Sequence, residues 1–246
     1  MENVVLKGMI IKNSNVAEYD KRVVILTKER GKIVAFARGA RRVKSPLLSG
    51  TRLFAFGAFT LYEGKEAYTL DKAEIENYFT EISSDMEAMC YGCYFLEFAD
   101  YYSRENMEAG ELLKLLYQTL RALMNQKIAN RLVKCIYELK CMAINGEYPE
   151  MFECVGCQSQ ITRYFSIARG GMLCEKCAQT SAERISPDTS TVYTMQYIIS
   201  SKIEKLYTFI VKEKVLEELE YLMEKCLKRY IDREFNSLKI LNTILK

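Results

Sequence analysis

The sequence predicts an α+β chain of more than one domain: a small N-terminal β-barrel, then an α-helical domain carrying an inserted four-cysteine metal module. Three observations predict it. Apolar, β-branched runs fill roughly the first 75 residues and then give way to helical spacing, the cations gather in that same first third, and two C-x2-C pairs stand 16 residues apart. The 246 residues, 49% hydrophobic and 27% charged, are enough to bury a real core.

The strand-like runs are VVLKGMIIK (4–12), VVILT (23–27), KIVAFA (32–37), RLFAFGAFTLY (52–62) and AYTLDKAEI (67–75). NSN, KERG, SPLLSG and EGK separate them, giving five short strands and four connections. Five strands in so short a span suit a closed barrel with no long exposed edge, and an OB-fold is the natural candidate. In that fold, strands two and three form the surface on which oligonucleotides lie.

Charge marks the same strands. Residues 1–75 hold 14 Lys+Arg against 8 Asp+Glu, a net of +6 within a chain of net +3, and residues 21–52 carry ten cations with Glu29 as their one anion. The candidate nucleic-acid contacts are Lys21, Arg22, Lys28, Arg30, Lys32, Arg38, Arg41, Arg42 and Lys44. Phosphate contacts release condensed counterions, so such a surface binds nucleic acid with little sequence preference and steep salt dependence. The competing reading is a solvated face that only maintains solubility. Tyr19 and Phe36 are candidate stacking residues, with the barrel interior the expected place for Phe36.

From residue 84 the period is helical. Ser84 and Glu87 are spaced as a capping box ahead of Met86, Met89, Cys90, Cys93, Phe98 and Tyr102, and further amphipathic stretches cover about 108–124, 129–145, 192–211 and 213–235. Gly146 and Pro149 end the third of these helices. The expected domains are therefore 1–80 for the barrel and 81–246 for the helices, with a metal-binding insertion over 150–183.

Within that insertion Cys154, Cys157, Cys174 and Cys177 form C-x2-C-x16-C-x2-C, a four-thiolate spacing. Each pair places two sulfurs on one tight knuckle, and YFSIARGGML provides a hairpin between the knuckles. One structural Zn2+ is the expected occupant, because four thiolates leave no coordination position for a substrate. Two reduced or reversibly oxidised pairs are the alternative. Cys90, Cys93, Cys135, Cys141 and Cys226 fall in helical patterns and read as core residues.

Omissions narrow the function. The chain has no histidine, which removes histidine triads, histidine general bases and mixed Cys/His zinc sites. No glycine spacing matches a phosphate loop or dinucleotide motif, so no catalytic residue is assigned and a non-enzymatic role is expected. The start, MENVVLKGMIIKNSN, is neither a signal peptide nor a membrane span, and a cytoplasmic, nucleoid-associated protein is expected.

The run AEYDKRVVILTKERGKIVAFARGARRVKS resembles the N-terminal segment of the RecO family of bacterial recombination mediators. Glu18, Asp20, Thr27, Glu29, Gly31, Gly39, Ala40, Arg41, Arg42 and Ser45 stand at the matching places. The similarity runs through GKEAYTLDKAEI into the helices, and the four-cysteine insertion looks like that of zinc-containing members. Near the end, NSLKIL departs at Asn236, where the family more often has lysine. The resemblance implies binding of single- and double-stranded DNA, annealing of complementary strands and help in loading a RecA-type recombinase onto DNA coated by single-strand-binding protein. It also implies a RecR-type partner, contact with the C-terminal tail of single-strand-binding protein, and a zinc site that stabilises the fold. The alternative function is a zinc-stabilised nucleic-acid or protein adaptor without annealing activity.

Overall fold

The computed structural model describes residues 3–125 and 127–244. The expected five-stranded barrel forms from β1 (Asn3–Val16), β2 (Asp20–Thr27), β3 (Gly31–Ala37), β4 (Phe56–Tyr62) and β5 (Tyr68–Asn77), with a single-turn helix α1 (Leu47–Gly50) between β3 and β4. The strands close in the order β1-β2-β3-β5-β4, antiparallel except where β3 meets β5 in parallel at Ala35 and Phe36. The long first strand serves two neighbours, pairing with β4 over Asn3–Met9 and with β2 over Gly8–Val16, and an irregularity between Ile10 and Lys12 bends it between them.

Alternate side chains fill the barrel: Leu6, Ile10, Val23, Ile25, Ile33, Ala35, Phe59 and Leu61 are all buried in one core. The VVIL run does not alternate because the strand is covered on both faces. Val24 and Leu26 are buried as well, and α3 (Gly110–Leu123) packs on β2 while α2 (Met86–Tyr102) packs on β1. The chain's packing accordingly divides it into Met1–Met124 with Phe235–Lys246, and Asn125–Glu234. Helices α2 and α3 each contact a barrel strand, and the last helix, α8 (Asn236–Ile244), packs on α2, so all three fall in the unit that holds the barrel.

Helix α2 is the centre of the first unit. Asp85, and not Ser84, is its N-cap: the Asp85 carboxylate accepts from the backbone N–H of Glu87 at 2.9 Å and of Ala88 at 3.2 Å. Tyr94 and Phe98 meet the ring of Phe235 at 5.5 and 5.3 Å, which ties α8 to α2. A second link is ionic. Asp100, nearly buried, lies 2.8 Å from Lys12 Nζ and 3.2 Å from Lys32 Nζ. Burial works to raise the Asp100 pKa, but the two ammonium groups outweigh it and hold the carboxyl below its ordinary value.

That pairing predicts a pH-dependent stability. A carboxyl with a lowered folded-state pKa stabilises above its unfolded value of about 4, and the stabilisation is lost as pH falls through the folded value. Asp100→Ala is expected to cost about 1–3 kcal/mol in urea unfolding at neutral pH, and much less in acid.

The second unit holds α4 (Asn130–Ile144), the metal module, α6 (Thr189–Ser200) and α7 (Glu213–Tyr230). Cys135, Cys141 and Cys226 are buried in it as expected, together with Leu132, Ile136, Leu219 and Leu222. Arg131 joins α4 to α7, donating to Glu213 at 2.6 Å and to Glu220. Two expected helices are shorter than their patterns. The 192–211 stretch stops at Ser200, where the Lys140 ammonium binds the carbonyls of Ile199 and Ser201 at 2.8 and 2.7 Å and satisfies the helix end. The 213–235 stretch stops at Tyr230, and Ile231 is extended. Gly146 takes the left-handed conformation after α4, with φ 74°. No helix is long and apolar enough to cross a membrane among the described residues.

Candidate nucleic-acid interface and metal centre

The nine candidate cations separate along the barrel. β2 spans about 25 Å, so its two ends are distinct places. Lys21, Arg22, Arg38, Arg41, Arg42 and Lys44 belong to the end where β2 begins and β3 finishes, whereas Lys28, Arg30 and Lys32 surround the hairpin turn at the other.

The turn end is engaged within the protein. Residues 104–109 run along it: Lys32 N–H donates to Arg104 O at 3.2 Å, Asn106 N–H to Arg30 O at 3.0 Å and Ala109 N–H to Lys28 O at 2.9 Å. Gly31, with φ +62°, is needed here because a Cβ would collide with the Arg104 carbonyl oxygen. Arg30 donates to Glu63 at 2.9 Å and to the Tyr68 hydroxyl at 2.6 Å, which raises its pKa further. Lys32 binds Asp100. Lys28 remains exposed.

The opposite end is different. A left-handed Ala17 turns the chain from β1 toward β2, and Asp20 then accepts from Gly39 N–H at 2.7 Å, which pins the loop after β3 onto the start of β2. Arg41 N–H donates to Tyr19 O at 2.9 Å, and its guanidinium to Glu18 O at 2.9 Å. The Arg42 guanidinium lies 5.2 Å from the Tyr19 ring centroid. Lys21 is close enough to Arg41 and Arg52 that, after desolvation, their charges lower its pKa.

Arg52 is therefore a member of this cluster that strand order alone did not single out. It follows the α1 turn and returns to Lys21 only in the folded chain. Phe36 also differs from expectation. It is exposed opposite Arg22 across the β2–β3 pair, because Ile33, Ala35 and Ala37 take the inward positions of β3. Tyr19 is 42% and Phe36 38% exposed, so both rings are available at the cationic end. Among the described residues, none of Lys21, Arg22, Arg38, Arg41, Arg42, Lys44 and Arg52 is ion-paired with a carboxylate.

Beside Arg22, a groove of about 420 Å3 is lined by Ile11, Leu53, Cys93, Leu96 and Ile240 among others. Cys90 and Cys93 are half-buried rather than in the core, and burial, followed by Cys90 and Glu97, raises the Cys93 thiol.

The four remaining cysteines converge in the second unit. Their sulfurs all lie within 4.8 Å of one another, and Cys157 and Cys174 are 3.6 Å apart. A tetrahedron with metal–sulfur distances of about 2.3 Å has edges of about 3.8 Å, so the quartet fits a four-coordinate ion. β6 (Tyr164–Ser166) and β7 (Gly171–Leu173) form the expected hairpin between the knuckles, and the single turn α5 (Glu175–Ala178) carries Cys177. Gly156 N–H donates to Cys154 Sγ and Cys177 N–H to Cys174 Sγ, each at 3.4 Å. Burial opposes ionisation of Cys154, but hydrogen bonds from Cys174, Gly156 and Cys157 bring its pKa down to about 6. Cys177 is pushed up to about 12, chiefly by its hydrogen bonds to Cys174, Cys157 and Cys154. Four sulfurs so close cannot all ionise without a cation among them.

Two family models match the chain: Recombination protein O N terminal over residues 1–79 and Recombination protein O C terminal over residues 83–239. Relatives named DNA repair protein RecO include that of Acetivibrio thermocellus, 30% identical with 96% of this chain and 95% of that protein covered. The Alkaliphilus metalliredigens protein is 31% identical over 97% and 98%, and that of Listeria innocua 28% identical over 98% and 94%.

Proposed function

Because this chain belongs to the RecO family of DNA repair proteins, we propose that it is a recombination mediator that anneals complementary DNA strands. It binds single- and double-stranded DNA through Lys21, Arg22, Arg38, Arg41, Arg42, Lys44 and Arg52, and helps a RecA-type recombinase load onto DNA coated by single-strand-binding protein. A RecR-type protein and the C-terminal tail of single-strand-binding protein are its partners, in the cytoplasm at the nucleoid. The observation that supports this reading most is the cationic end of the barrel, without carboxylate ion pairs among the described residues and with Tyr19 and Phe36 exposed in it.

The mechanism requires no covalent step. Guanidinium and ammonium groups replace condensed counterions on the phosphates, which lowers the repulsion between two strands. The exposed rings stack on bases without reading sequence. Complementary bases on the two strands then pair. In the second unit the cysteine quartet holds one Zn2+ with a structural role, since its coordination is complete.

Anisotropy titrations of a labelled single strand test the binding step. Log K is expected to fall linearly with log salt with a slope of about −3.5 to −5, corresponding to some five to seven phosphate contacts. A flat salt dependence, or displacement by polyglutamate as effective as by unlabelled DNA, contradicts the proposal.

A further inference from the structure

The cationic end of the barrel is matched by a second, smaller arrangement of the same chemistry on the metal module. Arg163 stands immediately before β6, and Arg184 immediately before Ile185, which pairs with Phe165 of β6 through hydrogen bonds of 2.7 and 2.8 Å. This third segment beside the hairpin brings both guanidiniums to Tyr164. Each lies 5.8 Å from the Tyr164 ring centroid.

Both arginines are exposed, and among the described residues neither side chain is ion-paired with or hydrogen-bonded to a carboxylate. Glu175 accepts from the Tyr164 hydroxyl at 3.3 Å. Arg169 is placed differently, against the first knuckle, 3.1 Å from where a Cβ on Gly156 would sit, so its charge faces the thiolates.

An arginine held beside an aromatic ring loses little freedom on binding, and its N–H edge stays available for a bidentate contact with phosphate. Two such groups on one ring give two contacts at a fixed separation. The Arg42–Tyr19 pair is built alike, whereas Arg30 on Tyr68 already donates to Glu63.

We infer that Arg163, Tyr164 and Arg184 form a second contact for the sugar–phosphate backbone of single-stranded DNA, separate from the barrel. The inference deepens the annealing reading, on which it rests: a protein that pairs two strands gains from holding each one. The metal then has an indirect part in DNA binding, because it fixes the hairpin that aligns the two arginines.

The test uses the full-length protein and a single strand carrying iododeoxyuridine, with adducts mapped by mass spectrometry. Irradiation is expected to attach the strand to Tyr164 in the wild type and in an Arg41→Ala/Arg42→Ala/Lys44→Ala variant. Arg163→Ala/Arg184→Ala should lose that adduct and flatten the salt slope by about 1.4, the amount for two single-strand phosphate contacts, with zinc content and melting temperature unchanged. Arg163→Lys/Arg184→Lys should keep the slope but bind several-fold more weakly than wild type.

Adducts confined to the barrel, with slope and affinity unchanged in the arginine pair variant, overturn the inference and leave the barrel reading intact. Loss of polyglutamate binding without loss of DNA binding overturns it too, and assigns the face to an acidic protein. A Tyr164 adduct alongside an unaltered barrel variant supports it while refuting the barrel assignment.

Discussion

Replacing Arg41, Arg42 and Lys44 together with alanine is expected to weaken single-stranded DNA binding about 100-fold at low salt and to flatten the salt slope by about 2. The three residues lie on a loop whose shape is set by the backbone. Asp20 holds Gly39 N–H, and Tyr19 O accepts from Arg41 N–H, so alanine side chains leave those bonds in place. Melting should change little, because exposed cations without carboxylate partners contribute little to stability. Arg30→Ala provides the contrast. That side chain binds Glu63 and Tyr68, so its removal should disturb the barrel's hairpin end while DNA affinity stays within a few-fold of wild type.

Removing the metal has the largest expected structural effect. The apolar cluster around the site consists of Cys154, Leu173 and Ala178, with Val155, Tyr164, Cys174 and Cys177 against it, so the ligand cysteines are themselves part of the packing that the metal holds together. Binding of zinc by a four-thiolate site supplies on the order of 10 kcal/mol, which in such modules is folding energy. Chelation, or Cys174→Ser, is therefore expected to unfold the region around 154–178. Hydrogen exchange should show that segment losing protection while β1 to β5 retain theirs. The purified protein should contain one zinc per chain. Full protection of the module after complete metal removal would refute a structural role.

The parts of this fold that were legible in the sequence are those set by local pattern. The five apolar, β-branched runs and the turn segments between them, KERG with Gly31 among them, were enough for the barrel, and the two C-x2-C pairs were enough for the metal module. Asp85 was as visible as Ser84, and the structure favours the carboxylate, which reaches two N–H groups where the Ser84 hydroxyl donates to Glu81 O. The remainder depends on partners far along the chain. Helix α6 ends where Lys140 binds its carbonyls from about sixty residues away. Lys32 reads as a surface cation until Asp100, 68 residues on, comes to meet it.

The candidate site followed the same rule. The density of cations over 21–52 was plain, but their sorting into an open end and an engaged end was not, since it depends on residues 104–109 and on Glu63. Arg52 joined the open end through the α1 turn. Phe36 is the case where the sequence held the answer: Ile33, Ala35 and Ala37 share one face of β3, which leaves Phe36 on the other.

The most direct test of the central claim follows two complementary labelled strands, first bare and then coated with single-strand-binding protein, as wild type or the Arg41→Ala/Arg42→Ala/Lys44→Ala variant is added across a salt series. Wild type should accelerate duplex formation on both substrates, with the acceleration lost in the variant and fading as salt rises. Tight binding by wild type with no acceleration on either substrate would contradict annealing and leave a nucleic-acid-binding adaptor.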